Sequence, residues 1–126
     1  MENKKIILIA EDETAMLKAL SKKFTNEGFD VLETSDGEQA LSTAIDKKPD
    51  LVMLDIIMPK MDGIDVMKKI REDQKWGSEV PIIMLTNLND ADSVSEAAKF
   101  GVYDFLVKTD WRLNDVVDLV KAKLNL

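Results

Sequence analysis

Leu51-Val52-Met53-Leu54-Asp55-Ile56-Ile57-Met58-Pro59-Lys60-Met61-Asp62-Gly63 is the stretch that decides the fold. It starts with an unbroken apolar run, opened by Lys47-Lys48-Pro49-Asp50 and closed by Pro59. A short apolar run without polar alternation is the pattern of a strand buried on both faces, as in a parallel sheet covered by helices on each side. Asp55 ends that strand, and open α/β sheets hold their ligands outside the carboxyl ends of their strands. The other strongly apolar run, Ile6-Ile7-Leu8-Ile9-Ala10, ends in the same way on Glu11 and Asp12. Three acids at the ends of two buried strands point to a shared metal site rather than to scattered surface charge.

Outward from this strand, strand-like and helix-like segments alternate. Lys5 to Ala10 reads as a strand. Thr14 to Glu27 reads as a helix with Leu17, Leu20 and Phe24 on one face and Gly28 closing it. Asp30 to Thr34 is a short strand, and Ser35-Asp36-Gly37-Glu38 fits a capping box opening a helix with Ala40, Leu41, Ala44 and Ile45 inward. Ile64, Met67 and Ile70 mark a third helix. Pro81 opens a strand through Thr86, because a first strand position tolerates proline. Asp90 is placed to cap a fourth helix that runs to Phe100 and stops at Gly101. Tyr103 to Val107 is a fifth strand, and Leu113, Val116, Val117, Val120 and Leu124 share one face of a last helix. Five strands alternating with five helices predict one α/β domain over residues 1–126, its parallel sheet doubly wound and all strand C-termini at one edge.

Composition narrows the chemistry. Of 126 residues 45% are apolar and 33% charged, which suits a packed core under a solvated surface. The 17 basic and 24 acidic residues give a net charge of −7, and the pairs Lys4-Lys5, Lys22-Lys23, Lys47-Lys48 and Lys68-Lys69 are scattered. Phosphate contacts need a basic face, so no direct nucleic-acid binding is expected. The chain has no cysteine and no histidine. That excludes disulfides, thiol nucleophiles, imidazole bases and histidine-held metals. It leaves a hard, oxygen-bound cation (Mg²⁺, Mn²⁺ or Ca²⁺) and covalent chemistry on Asp, Glu, Lys, Ser, Thr or Tyr. The apolar run after Met1-Glu2-Asn3-Lys4-Lys5 is too short for a signal peptide or a membrane span, so a cytoplasmic protein with no membrane partner is expected.

Glu11, Asp12, Asp55, Thr86 and Lys108 each fall at or just past a strand end. Taken singly, each has an ordinary alternative. Asp12 fits a helix N-cap before Thr14, Asp55 an acid feeding a turn, Thr86 a hydroxyl bonded to backbone, and Lys108 a solvated lysine. Their convergence on one edge favours a site. Clustered carboxylates raise each other's pKa, and a divalent cation relieves the repulsion. A cation near Asp55 would hold it ionised to attack phosphorus. Lys108 would neutralise a phosphoryl oxygen, and Thr86 would donate a hydrogen bond to another. Positioning and charge stabilisation of this kind are nearly all that phosphoryl transfer asks of a protein. No glycine-rich phosphate loop appears, so bound nucleotide is not expected.

In order along the chain, Glu11-Asp12-Glu13, Leu54 to Gly63, Pro81-Ile82-Ile83-Met84-Leu85-Thr86 and Gly101-Val102-Tyr103-Asp104-Phe105-Leu106-Val107-Lys108 resemble the receiver domain of bacterial two-component response regulators. The likeness covers essentially the whole chain. It implies a flavodoxin-like (βα)5 fold with sheet order 2-1-3-4-5 and Asp55 as phosphoacceptor. It implies Mg²⁺, or Mn²⁺ in its place, held by Glu11 through water, by Asp12, by Asp55 and by the backbone carbonyl of Ile57. Thr86 becomes the switch hydroxyl, Lys108 the phosphate-pairing lysine and Phe105 the switch aromatic. The resemblance also implies a signalling phosphoprotein rather than an enzyme, limited to self-catalysed phosphotransfer and autodephosphorylation. Its phosphodonor would be a histidine kinase, a phosphotransfer protein or a small molecule. Its output would pass to a downstream protein, or to an output domain absent from these residues, through a face made by the fourth helix, the fifth strand and the last helix.

The alternative is an Mg²⁺-dependent phosphatase with an aspartyl-phosphate intermediate. Such enzymes usually carry a second acid two residues after the nucleophile, where Ile57 stands. A flavin-binding domain of similar topology would set its phosphate against the acids. One departure from the family pattern is Thr109, which follows Lys108 in place of proline. A cis bond before a non-proline residue costs about 2.5–4 kcal/mol, so the Lys108–Thr109 peptide is expected to be trans. Trp111 is expected to anchor the last helix. Ile57 and Leu88, both apolar and flanking the line of water attack, predict slow loss of the phosphoryl group.

Overall fold

A computed structural model describes residues 4–86, 91–108 and 112–126. Five parallel strands form one sheet in the order β2-β1-β3-β4-β5, the expected topology. The strands are β1 (Ile6–Ala10), β2 (Asp30–Thr34), β3 (Leu51–Asp55), β4 (Ile82–Thr86) and β5 (Asp104–Val107). The helices are α1 (Thr14–Asn26), α2 (Gly37–Lys47), α3 (Gly63–Arg71), α4 (Trp76–Glu79), α5 (Ala91–Ala98) and α6 (Leu113–Lys123). β3 and β4 are buried at every residue, which is why their sequences show no alternation, whereas the edge strands β2 and β5 are only partly covered.

Alternate residues of each strand feed two cores. Leu8, Val52, Leu54 and Met84 meet Ala40, Ala44, Val66, Met67, Ile70 and Ala97 from α2, α3 and α5. Ile7, Ile9, Met53, Ile83 and Leu85 meet Leu17, Leu20, Phe24, Val116, Val117 and Val120 from α1 and α6. Each fully buried Leu- or Ile-sized side chain contributes roughly 1.5–3 kcal/mol, so both layers are held mainly by apolar burial. The sheet register aligns Ala10 with Leu54, Asp55 with Leu85 and Thr86 with Val107. The residues that follow those strands are thereby delivered to one edge.

The structure departs from the sequence expectations first at element ends: α1 stops at Asn26 rather than Glu27, and α5 stops at Ala98 rather than Phe100. The three strands expected to begin at Lys5, Pro81 and Tyr103 each begin one residue later. The capping box is shifted by one residue. Asp36, not Ser35, is the N-cap, its Oδ1 accepting from Gln39 N at 2.7 Å, while Gln39 Oε1 accepts from Ser35 N at 2.8 Å. Ile45, expected inward, is 41% exposed, because the buried stripe of α2 runs through Gly37, Ala40 and Ala44 and leaves Ile45 beside it. Lastly, α4 is an additional helical turn, too short for any periodicity to announce, so the fourth helix of the sequence reading is α5. Trp76 pins it by donating Nε1–H to Pro49 O at 2.6 Å. Leu88, the Asp90 cap, the Lys108–Thr109 peptide and Trp111 lie outside the described residues.

Arg71 joins α3, α4 and α5. Its Nε donates to Phe100 O at 2.9 Å and its Nη1 donates to Gly77 O and Val80 O, both at 2.8 Å. Arg71→Met would fill similar space and leave these partly buried carbonyls without their donor. It should lower the unfolding free energy by about 1–3 kcal/mol, read from urea unfolding. An unchanged urea midpoint would show that the carbonyls are satisfied without Arg71.

Candidate functional site

Glu11 continues the β1 ladder by one residue, its N–H donating to Thr34 O at 3.1 Å, and its side chain is wholly buried. That position lies alongside Asp55, because Ala10 is paired with Leu54. Asp55 closes β3 and is 4% exposed; Thr86 closes β4 and is also buried. Lys108 follows β5 directly, its N–H donating to Thr86 O at 2.6 Å. From there its buried side chain reaches back across the sheet edge. Lys108 Nζ lies 2.6 Å from Glu11 Oε1 and 2.9 Å from Asp55 Oδ2. Asp12 is exposed beside them, and Glu11, Asp12 and Asp55 each offer a carboxylate oxygen within 4.8 Å of the others.

Several ordinary readings of these residues fail on geometry. Lys108 is not a solvated lysine, since its side chain is 6% exposed and held by two acids. Asp12 does not cap α1. The cap position is Glu13, without a side-chain cap bond, and Glu11 Oε2 accepts from Glu13 N at 3.0 Å. The turn role of Asp55 is limited to one long contact, Ile57 N to Asp55 Oδ1 at 3.4 Å. Phe105 stands apart from the acids. It lies on β5 opposite Met84, half-buried against the core under α2, α3 and α5.

Burial pushes the Asp55 carboxyl up to about 7; Lys108 pulls against this and Glu11 adds to it. Burial acts to lower Lys108, but its bonds to Glu11 and Asp55 outweigh that and hold it above the ordinary lysine range. One ammonium therefore faces three carboxylates. The excess negative charge and the all-oxygen donor set suit a hard divalent cation.

Gly63 has a part here that its sequence position does not announce. Gly63 N donates to Ile56 O at 2.8 Å, and a Cβ on Gly63 would lie 2.2 Å from the carbonyl oxygen of Asp55. Only glycine lets α3 begin this close to the end of β3. The available signal was the Asp62-Gly63 pair at a helix start, where Asp62 Oδ1 accepts from Asp65 N at 2.9 Å.

Residues 7–121 match the family model described as the response regulator receiver domain. The probable transcriptional regulator ycf27 of Guillardia theta is 42% identical over 108 residues, 86% of this chain and 41% of that protein. This chain thus spans less than half the length of that relative. A CheY-like response regulator receiver domain protein from Methanospirillum hungatei superposes with a TM-score of 0.90 at 23% identity, over 98% of this chain and 95% of the other. CheY in a CheX–CheY–BeF3–Mg complex from Borrelia burgdorferi superposes with a TM-score of 0.81 at 33% identity, over 94% and 87%. The chain belongs to the response regulator receiver family, a family of signalling proteins that generally use Mg²⁺. Among the described residues no helix is long and apolar enough to cross a membrane.

Asp55 predicts a distinctive pH dependence. Its folded pKa, about 7, lies above the ordinary 3.8, so the cation-free folded state binds the proton more tightly than the unfolded chain. Stability should fall as pH rises between those values, by at most about 1.4 kcal/mol per pH unit. Asp55→Asn removes the titrating group and should flatten the loss. Urea unfolding of both proteins at about pH 5 and pH 8, without divalent cations, measures it; equal changes in the two would refute the assignment.

Proposed function

We propose that this chain is a phosphorylation-controlled switch in which Asp55 accepts a phosphoryl group from a histidine kinase, a phosphotransfer protein or a small phosphodonor. The observation that carries it is the buried Glu11–Lys108–Asp55 arrangement at the C-terminal edge of the sheet, with Asp12 beside it. Mg²⁺, or Mn²⁺ in its place, would be held by Asp12, Asp55 and the backbone carbonyl of Ile57. Glu11 Oε2 accepts from Glu13 N, while buried Oε1 lies 2.6 Å from Lys108 Nζ without a hydrogen-bond partner among the described residues, which favours a part for Glu11 through water. When bound, the cation supplies positive charge that keeps Asp55 ionised near neutral pH and offsets the charge of the incoming phosphoryl group.

In the transfer, an Asp55 carboxylate oxygen forms the bond to phosphorus as the bond from phosphorus to the donor breaks, and the donor keeps the electron pair. Lys108 gives up its contact with Asp55 Oδ2 for a phosphoryl oxygen while Glu11 continues to hold it. Thr86, at the neighbouring strand end, donates its hydroxyl to a second phosphoryl oxygen. That contact exists only in the phosphorylated state and so supplies the bias for a conformational change. Phe105 follows Thr86 and alters the face of α5, β5 and α6, where Val94 and Tyr103 are 43% and 73% exposed. This face would bind the downstream protein or an output domain. The Guillardia relative is called a transcriptional regulator, so the charge-based expectation of no nucleic-acid contact is confined to these residues. Self-catalysed loss of the phosphoryl group should be slow, with Ile57, 75% exposed, standing at the mouth as an apolar residue that cannot orient water.

Acetyl phosphate with Mg²⁺ should add one phosphoryl mass to the wild type and none to Asp55→Asn. Intact mass spectrometry reads this, and modification of the variant at the wild-type rate would exclude Asp55 as acceptor. Beryllofluoride, a phosphoryl mimic, should shift the NMR signals around Phe105 in the wild type and much less in Thr86→Ala. Equal shifts in both would disconnect the hydroxyl from the aromatic ring.

A further inference from the structure

The loop from Ile56 to Asp62 carries the Ile57 carbonyl, and α2 grips it from the side. Gly37, the first residue of α2, donates its N–H to Pro59 O at 3.2 Å, and the same carbonyl accepts from Met61 N at 2.8 Å. Gly37 is buried, and a Cβ there would lie 1.8 Å from Met61 O, 2.5 Å from Met61 C and 2.6 Å from Met61 Cβ. Two of these are backbone atoms, which cannot rotate away. Between the two contacts Lys60 is held at φ +71, a left-handed conformation that a lysine keeps only when its surroundings impose it. Its ammonium lies 3.9 Å from Asp36, the residue that caps α2. The far end of the loop is gripped in the same manner, by Gly63 against the Asp55 carbonyl. Ile57 lies between the two clamps.

We propose that Gly37 is a positioning residue for the divalent cation: by admitting the Pro59–Met61 backbone against the start of α2, it sets where the Ile57 carbonyl stands and hence how tightly Mg²⁺ is held. This rests on the metal site proposed above. Gly37 touches neither cation nor phosphoryl group and acts only through the loop. A side chain at 37 cannot be accommodated by α2 alone, since the obstacle is the backbone of another segment. Alanine is also the better helix residue, so a loss on substitution cannot be assigned to the helix itself.

The test is Mg²⁺ binding by calorimetry on the intact chain for wild type, Gly37→Ala, Gly77→Ala and Asp12→Ala, with melting temperatures measured without metal. Gly77 is the control for tightness, because a Cβ there would lie 2.0 Å from Ile70 O, at the opposite edge of the sheet. Gly37→Ala should weaken Mg²⁺ binding about tenfold or more, as outer partners of metal ligands do. Gly77→Ala should lower the melting temperature and leave Mg²⁺ affinity at the wild-type value. A folded Gly37→Ala that binds Mg²⁺ as tightly as wild type overturns the role of Gly37. If Asp12→Ala also binds as wild type, the metal site itself is overturned, so the two failures are distinct. Wild type alone supplies a measurement that survives a misfolded variant. The amide NMR signals of Gly37 and Ile57 should shift with one Mg²⁺ midpoint, and a Gly37 signal unmoved at saturating Mg²⁺ overturns the proposal.

Discussion

The Lys108 ammonium between Glu11 and Asp55 is the interaction on which the edge of this sheet depends. It joins the ends of β1, β3 and β5 through contacts of 2.6 and 2.9 Å. Burying three charged groups is costly, and a buried ion pair is weak evidence of stabilisation, since desolvation can exceed the attraction. The arrangement is better explained by chemistry. It holds the buried Asp55 carboxyl beside an ammonium, as the proposed phosphoryl transfer requires. The raised pKa of Asp55 expresses the same conflict, with burial opposing a charge that Lys108 only partly offsets.

The backbone makes that geometry precise enough to use. Parallel pairing aligns Ala10 with Leu54 and Thr86 with Val107, so the residues that follow are set by the ladder and not by loop conformation. Apolar burial on both faces of β3 and β4 fixes the register, because a slip of one residue would exchange the two cores. Beyond the strand ends, glycines perform the same task by close approach. Gly63 packs on the Asp55 carbonyl and Gly37 on the backbone of Met61. Each allows a helix to begin against the loop that carries Ile57.

A second set of contacts ties α3 to the helix of the proposed output face. Lys68 pairs with Glu96 at 2.6 Å and lies 6.0 Å from the centre of the Phe100 ring, and Arg71 bonds Phe100 O. The Lys68–Glu96 pair is half-exposed and contributes little by itself. The Arg71 bonds count for more, since they satisfy carbonyls that partly buried backbone would otherwise leave open. One of them holds Phe100, just past the C-terminal end of α5, and the other two hold Gly77 and Val80 in and after α4.

The parallel, doubly wound class of the sheet was legible in the pattern of residues alone. Continuous apolar runs at Ile6–Ala10 and Leu51–Leu54 marked buried parallel strands, and the acids that end or follow them marked the candidate edge, because side-chain periodicity and chain direction are local properties. The same pattern also put Glu11, Asp12, Asp55, Thr86 and Lys108 at or just past strand ends on that edge. Packing between distant segments set the rest: Glu11 is wholly buried and pairs with Lys108, Ile45 lies outside the α2 stripe, and a helical turn forms at Trp76. It alone decided that Gly37 and Gly63 are the close-approach points of the β3–α3 loop. These facts depend on which distant segment fills the space beside a residue. Glycine leaves no periodic signal, a single turn has no period, and an ion pair spanning two strands is set by the packing of the whole sheet.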